Sequence, residues 1–592
     1  MPKAPISEDV QEKAVGKVKQ TFDLYNTLLS NYRNKWLEQY TATYIFEVQD
    51  RNAQGQSQIF FPKCYEQVEK VAPRIYGNNP KFVVGLNVPI NNKYPEADMI
   101  QNMDAVQKSL NYFWRIGNCS KKARMSVKTA LWANISWALV DFETKTVKNE
   151  RREIVTAETG EQIERIVTVE EAINAYPTFE VPDIFDVYFD PRIEDEDDMR
   201  AIIRNKDDVA IADLKEQKDV YFNLDKLDSV GGEAYSTDGG NYKQSKFNLQ
   251  GIPQQTTSNA CNVKVFYGYF SETDDPNDEK LVKITLANDS IVIGYKELTF
   301  NPWSKWSPSD VPNQAVGKGL VEPIIKLQSA YNLTRNQRAE NVSLVLNRMW
   351  ALKQGSNIDP RKLVSRAGNI IPMKDLDSLA PIPTPDVTQS SFEEANAINT
   401  EIQQTLGTID ASQDSSDSGF TNLATGQKIR WQEYNVRYKA IRQNFEEFLA
   451  KVGMKMLLMV GEEANKNPLV QDEITKKFYE IAKTAFDQVS DFYNVTVVAD
   501  STANDSIENK RDEVLAFGQL CLAYKSQGVP INMTKVWRDI ADSFPGRNPD
   551  EYLEEQPQAQ EQLTKALPQS TVDSIMPHKS PDELLNQSLA DV

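Results

Sequence analysis

Along the first part of the chain, apolar positions recur at three- and four-residue steps. Val18, Phe22, Tyr25, Leu29, Tyr32, Trp36 and Tyr40 fall on one face of a helix predicted over about 8–45. A second helix is predicted from Phe61 to Val71, closed by Pro73 and the turn Gly77-Asn78-Asn79-Pro80. Two further helices are expected near 98–116 and 120–133, followed by a strand from Ile135 to Phe142. Residues 150–300 read differently, as short strands and loops. Val263, Val265, Tyr267 and Tyr269 alternate with other residues at an imperfect period of two. Leu281–Leu286 and Ser290–Ile293 flank Asn288-Asp289, a hairpin-turn signal. The Gly-, Ser-, Gln- and Asn-rich stretch 226–260 reads as a mobile surface excursion.

The helical pattern returns at 319–347, where Leu320, Ile324, Leu327, Tyr331, Val342 and Leu346 line one side. Pro323 sits near its start, where a missing backbone donor costs least. Gln328, Asn332, Arg335, Asn336 and Glu340 lie elsewhere on it. A Pro- and Gly-rich patch covers 350–387, a shorter helix about 391–409, and a Ser/Asp/Gly loop 411–419. Tyr434, Tyr438, Ile441, Phe445, Phe448, Val452, Met456 and Met459 then mark a helix of about 38 residues with near-heptad steps. A strand at Val495 and Val497 leads to helices at 506–526 and 533–543; Gly528 and Pro530 stop the first. Pro557, Pro568, Pro577 and Pro581 forbid a long terminal helix.

Composition narrows the function classes. At 592 residues the chain suggests three or four domain-sized units. With 40% hydrophobic and 26% charged residues it reads as a folded soluble protein. Its net charge of -19 disfavours a broad DNA-binding surface; it reads first as a source of solubility, and also suits a wall that DNA slides past. Four scattered cysteines (Cys64, Cys119, Cys261, Cys521) suggest neither a disulfide framework nor a zinc site, and imply a reducing compartment. No signal core or long apolar run is present, so neither secretion nor membrane crossing is expected.

Catalytic chemistry finds little footing. The single histidine, His578, lies in a Pro-flanked tail, so triads and His-based acid–base pairs lack a member. No phosphate loop exists, and Gly317-Lys318-Gly319 is only an echo of one. The acidic run Asp190, Glu194, Asp195, Glu196, Asp197, Asp198 has carboxylates suited to Mg²⁺ or Ca²⁺ but no calcium-loop spacing, and is expected to be a solvated loop. No metal site, cofactor site or catalytic residue is therefore assigned. One local charge reversal stands out: Arg348, Lys353, Arg361, Lys362, Arg366 and Lys374 face Asp359 alone, a net of +5. Such a patch is either bare surface or a contact for DNA or an acidic partner.

Several stretches, taken in order, resemble the portal proteins of tailed bacteriophages, of the podovirus type. Residues Gln58–Tyr76 resemble the early helix of that family and Asp183–Pro191 its wing strand. Gly319–Asn347, with the rhythm Gln328-x3-Asn332-x3-Asn336, resembles its first stem helix, and Ala367–Pro372 its clip. Thr405–Asp410 followed by Ala424-Thr425-Gly426 resembles the region around the tunnel loop.

The resemblance, spread over roughly 20–500, implies an α+β, mainly helical portal fold with wing, stem, clip and crown regions, closed into a ring. On it, 1–305 would be wing, 306–347 the first stem helix, 348–387 clip, 388–410 the second stem helix and 411–426 tunnel loop. The long helix would span 427–465, a wing return 466–504, a crown 505–545, and a poorly ordered tail 546–592. The implied function is a non-enzymatic conduit: a ring of twelve copies at one capsid vertex of the virion, assembled in the host cytoplasm. Its implied partners are its own copies, double-stranded DNA in the channel, the terminase large subunit, a head-to-tail adaptor, and the major capsid and scaffolding proteins, with no membrane. The stem helices look poor in outward apolar residues, as side-by-side packing would require. The basic patch would be a docking collar at the clip. Asp414, Ser415, Ser416, Asp417, Ser418 and Gly419, with Lys428 and Arg430 beyond, would line the channel. The alternatives are a nucleic-acid-processing enzyme with carboxylate-bound metal, or another ring-forming head–tail connector.

Overall fold

In the computed structural model, the residues described are 6–46, 57–86, 97–156, 162–217, 220–227, 241–252, 260–273, 278–347, 349–355, 379–383, 385, 388–407, 424–463, 469–471, 478–481, 486, 493–498, 507–528, 533, 536, 537 and 540. They fall into two compact units, not the three or four suggested by length. The first comprises 1–472 and 477–504, the second 473–476 and 505–592.

In the first unit, helix α1 (Glu8–Tyr44) starts at Ser7, whose hydroxyl accepts from Val10 N, with Glu8 and Asp9 in the first turn. Of its predicted apolar face, all but Tyr32 are fully buried. That single stripe serves two cores. Ala14, Val18, Phe22 and Tyr25 pack on a sheet, and Leu29, Trp36 and Tyr40 join a larger helical core. Arg33 lies buried at the divide, with Nη2 donating to Phe185 O at 3.3 Å and its guanidinium 3.8 Å from the Tyr188 ring centre.

Next come α2 (Lys63–Ile75), β1 (Phe82–Leu86), α3 (Ala97–Ile116) and α4 (Cys119–Ala133). α2 continues past Pro73, which the sequence reading took as its end. Strands β2 (Ser136–Thr156) and β3 (Gln162–Glu180) form one antiparallel ribbon, registered from Leu139↔Glu180 to Thr156↔Gln162. The sequence pattern showed only its first residues, because Lys145–Arg152 is a charged run of low strand propensity and cross-strand pairing overrides it.

A five-stranded antiparallel sheet follows, in the order β4 (Val187–Tyr188), β5 (Ala201–Ala210), β6 (Ala260–Ser271), β7 (Glu279–Ala287), β8 (Ile291–Glu297). Asn288 and Asp289 have φ of 49° and 57°, the left-handed pair that a tight hairpin turn needs, where it was expected. Between β5 and β6 lie α5 (Ile211–Glu216) and α6 (Asn241–Leu249). Within the stretch 226–260, read as a mobile excursion, the described residues 241–252 are instead docked: Lys243 pairs with Asp186 at 2.8 Å, Lys246 with Asp183, and Gln250 bonds Tyr40.

Strand β9 (Trp303–Trp306) pairs with the start of β2. Then come α7 (Val321–Leu346), the short antiparallel pair β10 (Trp350–Leu352) and β11 (Leu379–Pro381), α8 (Thr388–Leu406) and α9 (Ala424–Glu463). The predicted seam of α9 is buried from Tyr438 to Met459. β12 (Leu469–Gln471) pairs with β13 (Phe478–Glu480), and β14 (Tyr493–Val497) returns to β1. In the second unit, α10 (Ile507–Ser526) ends before Gly528, which has φ +92° as the stop signal required. Most of the helix expected at 533–543, and the whole proline-bearing tail, lie outside the described residues.

Gly317-Lys318-Gly319 has a structural task. A Cβ on Gly317 would stand 2.2 Å from Ser309 O, and one on Gly319 2.6 Å from Leu131 O. Both glycines allow backbone to cross backbone where the chain enters α7; Lys318 N donates to Ser309 O and Leu320 N to Leu131 O. Gly319→Ala should therefore destabilise the fold by about 1–3 kcal/mol, the usual cost of overpacking. Gly16→Ala, within α1 and facing nothing inside 4 Å, should stabilise by about 0.5–1 kcal/mol. Urea unfolding of both variants checks this; equal midpoints would refute the crossing as a constraint.

Candidate functional site

α7 and α8 form an antiparallel hairpin closed by the β10–β11 pair. Ser391 Oγ donates to Thr334 O, Asn341 Nδ2 donates to Pro385 O at 3.0 Å, and Ile382 N donates to Met349 O at 2.9 Å. The ends of the expected clip are thus brought together. Of the basic patch, Lys353 is exposed just after β10; Arg348, Arg361, Lys362, Arg366 and Lys374 lie outside the described residues. So do Asp414, Ser415, Ser416, Asp417, Ser418 and Gly419, while Lys428 and Arg430 are placed only as backbone in the first turns of α9.

The polar rhythm of α7 holds an extended segment of the chain. Residues 57–62 run antiparallel to the helix, and four side chains at four-residue steps take backbone donors, three from this segment and one from the start of α2. Glu340 accepts from Ser57 N at 3.1 Å, Asn336 from Ile59 N at 2.8 Å, Asn332 from Phe61 N at 2.9 Å and Gln328 from Cys64 N at 2.7 Å. Asn336 Nδ2 returns a bond to Ile59 O, and Asn332 Nδ2 a longer one to Phe61 O. The spacing works because four helical residues rise about 6.0 Å and two extended residues span about 6.7 Å. The amides act as the edge of a sheet. Buried Gln328 also donates to Ala42 O, so it joins the end of α1 to the start of α2, whose orphan N–H it caps. Phe61 stacks edge-on against Tyr331, with Arg335 over its face. The sequence reading quoted this rhythm without its partner, which lies more than 260 positions away.

Most of the acidic run is the exposed loop expected: Glu194, Asp195, Asp197 and Asp198 are exposed, and Glu196 alone of 194–198 is buried. Asp195, Glu196 and Asp197 bring carboxylate oxygens within 4.8 Å of one another, and Glu196 is 1% exposed. Lysines of α9 reach into them: Lys451 lies 3.1 Å from Glu196 and 3.6 Å from Asp195, and Lys455 2.9 Å from Asp197. Burial pushes the Asp195 carboxyl up, but the Asp197 N–H and Lys451 outweigh it and hold it below the usual range. Burial would lower Lys451, but Glu196 keeps it above an ordinary lysine. Nearby Lys305 is held low by burial. Asp190 is pinned separately, accepting from Arg192 N, Nε and Nη2, and these bonds keep its carboxyl acidic. Two ammonium groups thus lie against these carboxylates, and the donor set fits a partly exposed ion-pair network better than a metal site. Its visible effect is to fasten the 194–198 loop to α9.

Comparison with protein families places the chain among the portal proteins of tailed bacteriophages. The matching family model, described as Phage SU10 portal protein, covers residues 130–577, about three quarters of the chain, and the chain belongs to that family. No curated protein matches it at a significant level. The match begins within α4, so α1 and the 57–62 segment lie outside it. As a portal protein this is a component of the virion, the head–tail connector through which DNA is packaged. No helix among the described residues is long and apolar enough to cross a membrane.

Replacing both Asn332 and Asn336 by Ala should cost about 2 kcal/mol, since each removal takes away a side-chain hydrogen bond that holds the 57–62 segment. Hydrogen exchange at Ile59 and Phe61 should accelerate, while amides of α9 stay protected. Wild-type exchange at those two positions would show that the ladder holds nothing.

Proposed function

We propose that this portal protein works as a closed ring, of twelve copies in the capsid, that carries double-stranded DNA inward during packaging and outward during ejection. The observation that carries this reading is the family match over most of the chain. Its regions are those read from the sequence, with α7 and α8 as stem, the 348–387 segment as clip, α9 following the tunnel loop, and 505–545 as crown. The net charge of -19 fits a channel past which DNA moves without sticking. The terminase large subunit, a head-to-tail adaptor, and the major capsid and scaffolding proteins are its partners, and assembly takes place in the host cytoplasm. The loop with Asp414–Gly419, together with Lys428 and Arg430, faces the DNA. Catalysis forms no part of the role, and the lysine-filled carboxylate cluster favours this over a metal-dependent nuclease.

The test is assembly. The purified chain should sediment as a closed particle many times its 67.2 kDa mass, with a central hole in negative-stain images. A stable monomer at micromolar concentration would overturn the reading.

The +5 patch between Arg348 and Lys374 repeats around such a ring as a positive collar on a negative body. It would steer an acidic motor surface or entering DNA, with an effect that fades as salt shortens the Debye length below about 8 Å. Charge reversal at Lys353, Arg361, Lys362 and Arg366 should abolish packaging and leave ring assembly intact. Normal packaging by that variant would reduce the collar to solvated surface.

A further inference from the structure

The two long sides of the α7–α8 hairpin are chemically opposite. Helical positions advance by about 100° per residue, so the ladder residues, the α8 contact at Thr334 and the pair Arg335 and Arg338 point in separate directions on α7. The arginines look out between the 57–62 segment and α8, into a groove walled by Ile59, Phe61 and Val342. Arg338 stacks on Phe392 of α8 at 5.5 Å, and its Nη1 is buried without a hydrogen-bond partner. Among the described residues no carboxylate pairs with either arginine. On the opposite side of α7, Leu333 and Leu344 are 59% and 41% exposed, contrary to the expectation of outer faces poor in apolar residues. On α8 the buried stripe Ala395, Ile398 and Ile402 has Phe392 on one flank. Glu394 and Glu401, seven positions apart and exposed, lie on the other flank, the side of the hairpin that also carries Leu333. No cation among the described residues pairs with them.

We propose that these two sides are the halves of one contact between neighbouring copies of the chain, in which Glu394 and Glu401 of one copy meet Arg335 and Arg338 of the next. The proposal rests on the ring reading above and names the surface that closes the ring. A contact between two different patches of identical chains is heterologous, and it forms a ring when the rotation it imposes closes. The two sides of the hairpin are distinct patches, as such a contact needs, and their charges are complementary. The exposed leucines gain cover in the same contact.

Charge exchange tests this in the full chain, read by mass photometry and negative stain, with circular dichroism to verify folding. R335E/R338E sets like charges face to face, as does E394R/E401R, and each alone should lose closed rings. The chain with all four substitutions should regain them. So should a 1:1 coexpression of the two double variants, as an alternating ring with an even number of copies. Rings from either double variant alone, or folded double variants that neither combination rescues, overturn the proposal and leave the ring reading standing. Rings that persist in R335E/R338E but no longer retain DNA assign the arginines to phosphate contact instead. A wild-type chain that never closes defeats the ring reading itself, and the proposal with it.

Discussion

Burial of one seam of α9 organises the first unit. Tyr438, Ile441, Phe445, Phe448, Val452 and Met456 are all 5% exposed or less, and they gather elements from distant parts of the sequence. Phe445 packs on Trp306 of β9 at 4.8 Å and on Tyr76, just beyond α2, at 5.7 Å. Gly453 lets Phe82 of β1 and Leu110 of α3 approach closely, since a Cβ there would stand 3.0 Å from the Phe82 ring and 3.3 Å from Leu110. Aromatic burial of this extent dominates core energetics, and here it decides which strands can be neighbours. The lysines on the flank of the same helix then fix the 194–198 loop, so polar contacts refine a position that apolar burial has set.

A second constraint is the satisfaction of backbone polar groups outside regular elements. The 57–62 segment has no strand partner among the described residues, and helix α7 supplies one from side chains. Amides suit this task because Asn and Gln both donate and accept, as a strand edge does. The same need explains the two glycines ahead of α7. There Lys318 and Leu320 find backbone acceptors only because the chains cross without a side chain between them. α7 is thereby anchored at its start and along its length, and α8 packs on it to complete a two-sided hairpin. Rigid elements carry interfaces more reliably than loops, since less ordering entropy opposes association.

The carboxylate cluster illustrates how chemistry is decided by neighbours. From composition alone Asp195–Asp198 suits a hard cation. In the fold, Lys451 and Lys455 neutralise it, and Glu196 is buried because its charge is met. The ion pairs here hold parts in place, fastening the 194–198 loop to α9.

Local periodicity in the sequence determined most of the helices. The stripes of α1 and α9, the Asn288-Asp289 turn and the Gly528 stop were legible because each depends on residues within a few positions of one another. The family was legible too, through the order of its parts. Tertiary structure alone decided the length of the β2–β3 ribbon, the docking of α6, the ion pairing of 194–198 and the purpose of the Gln328, Asn332, Asn336 and Glu340 rhythm. Each of these joins groups that are distant in sequence or, in the ribbon, overrides weak local propensity. Periodicity reports which face of an element is turned inward; it carries no information about what that face meets.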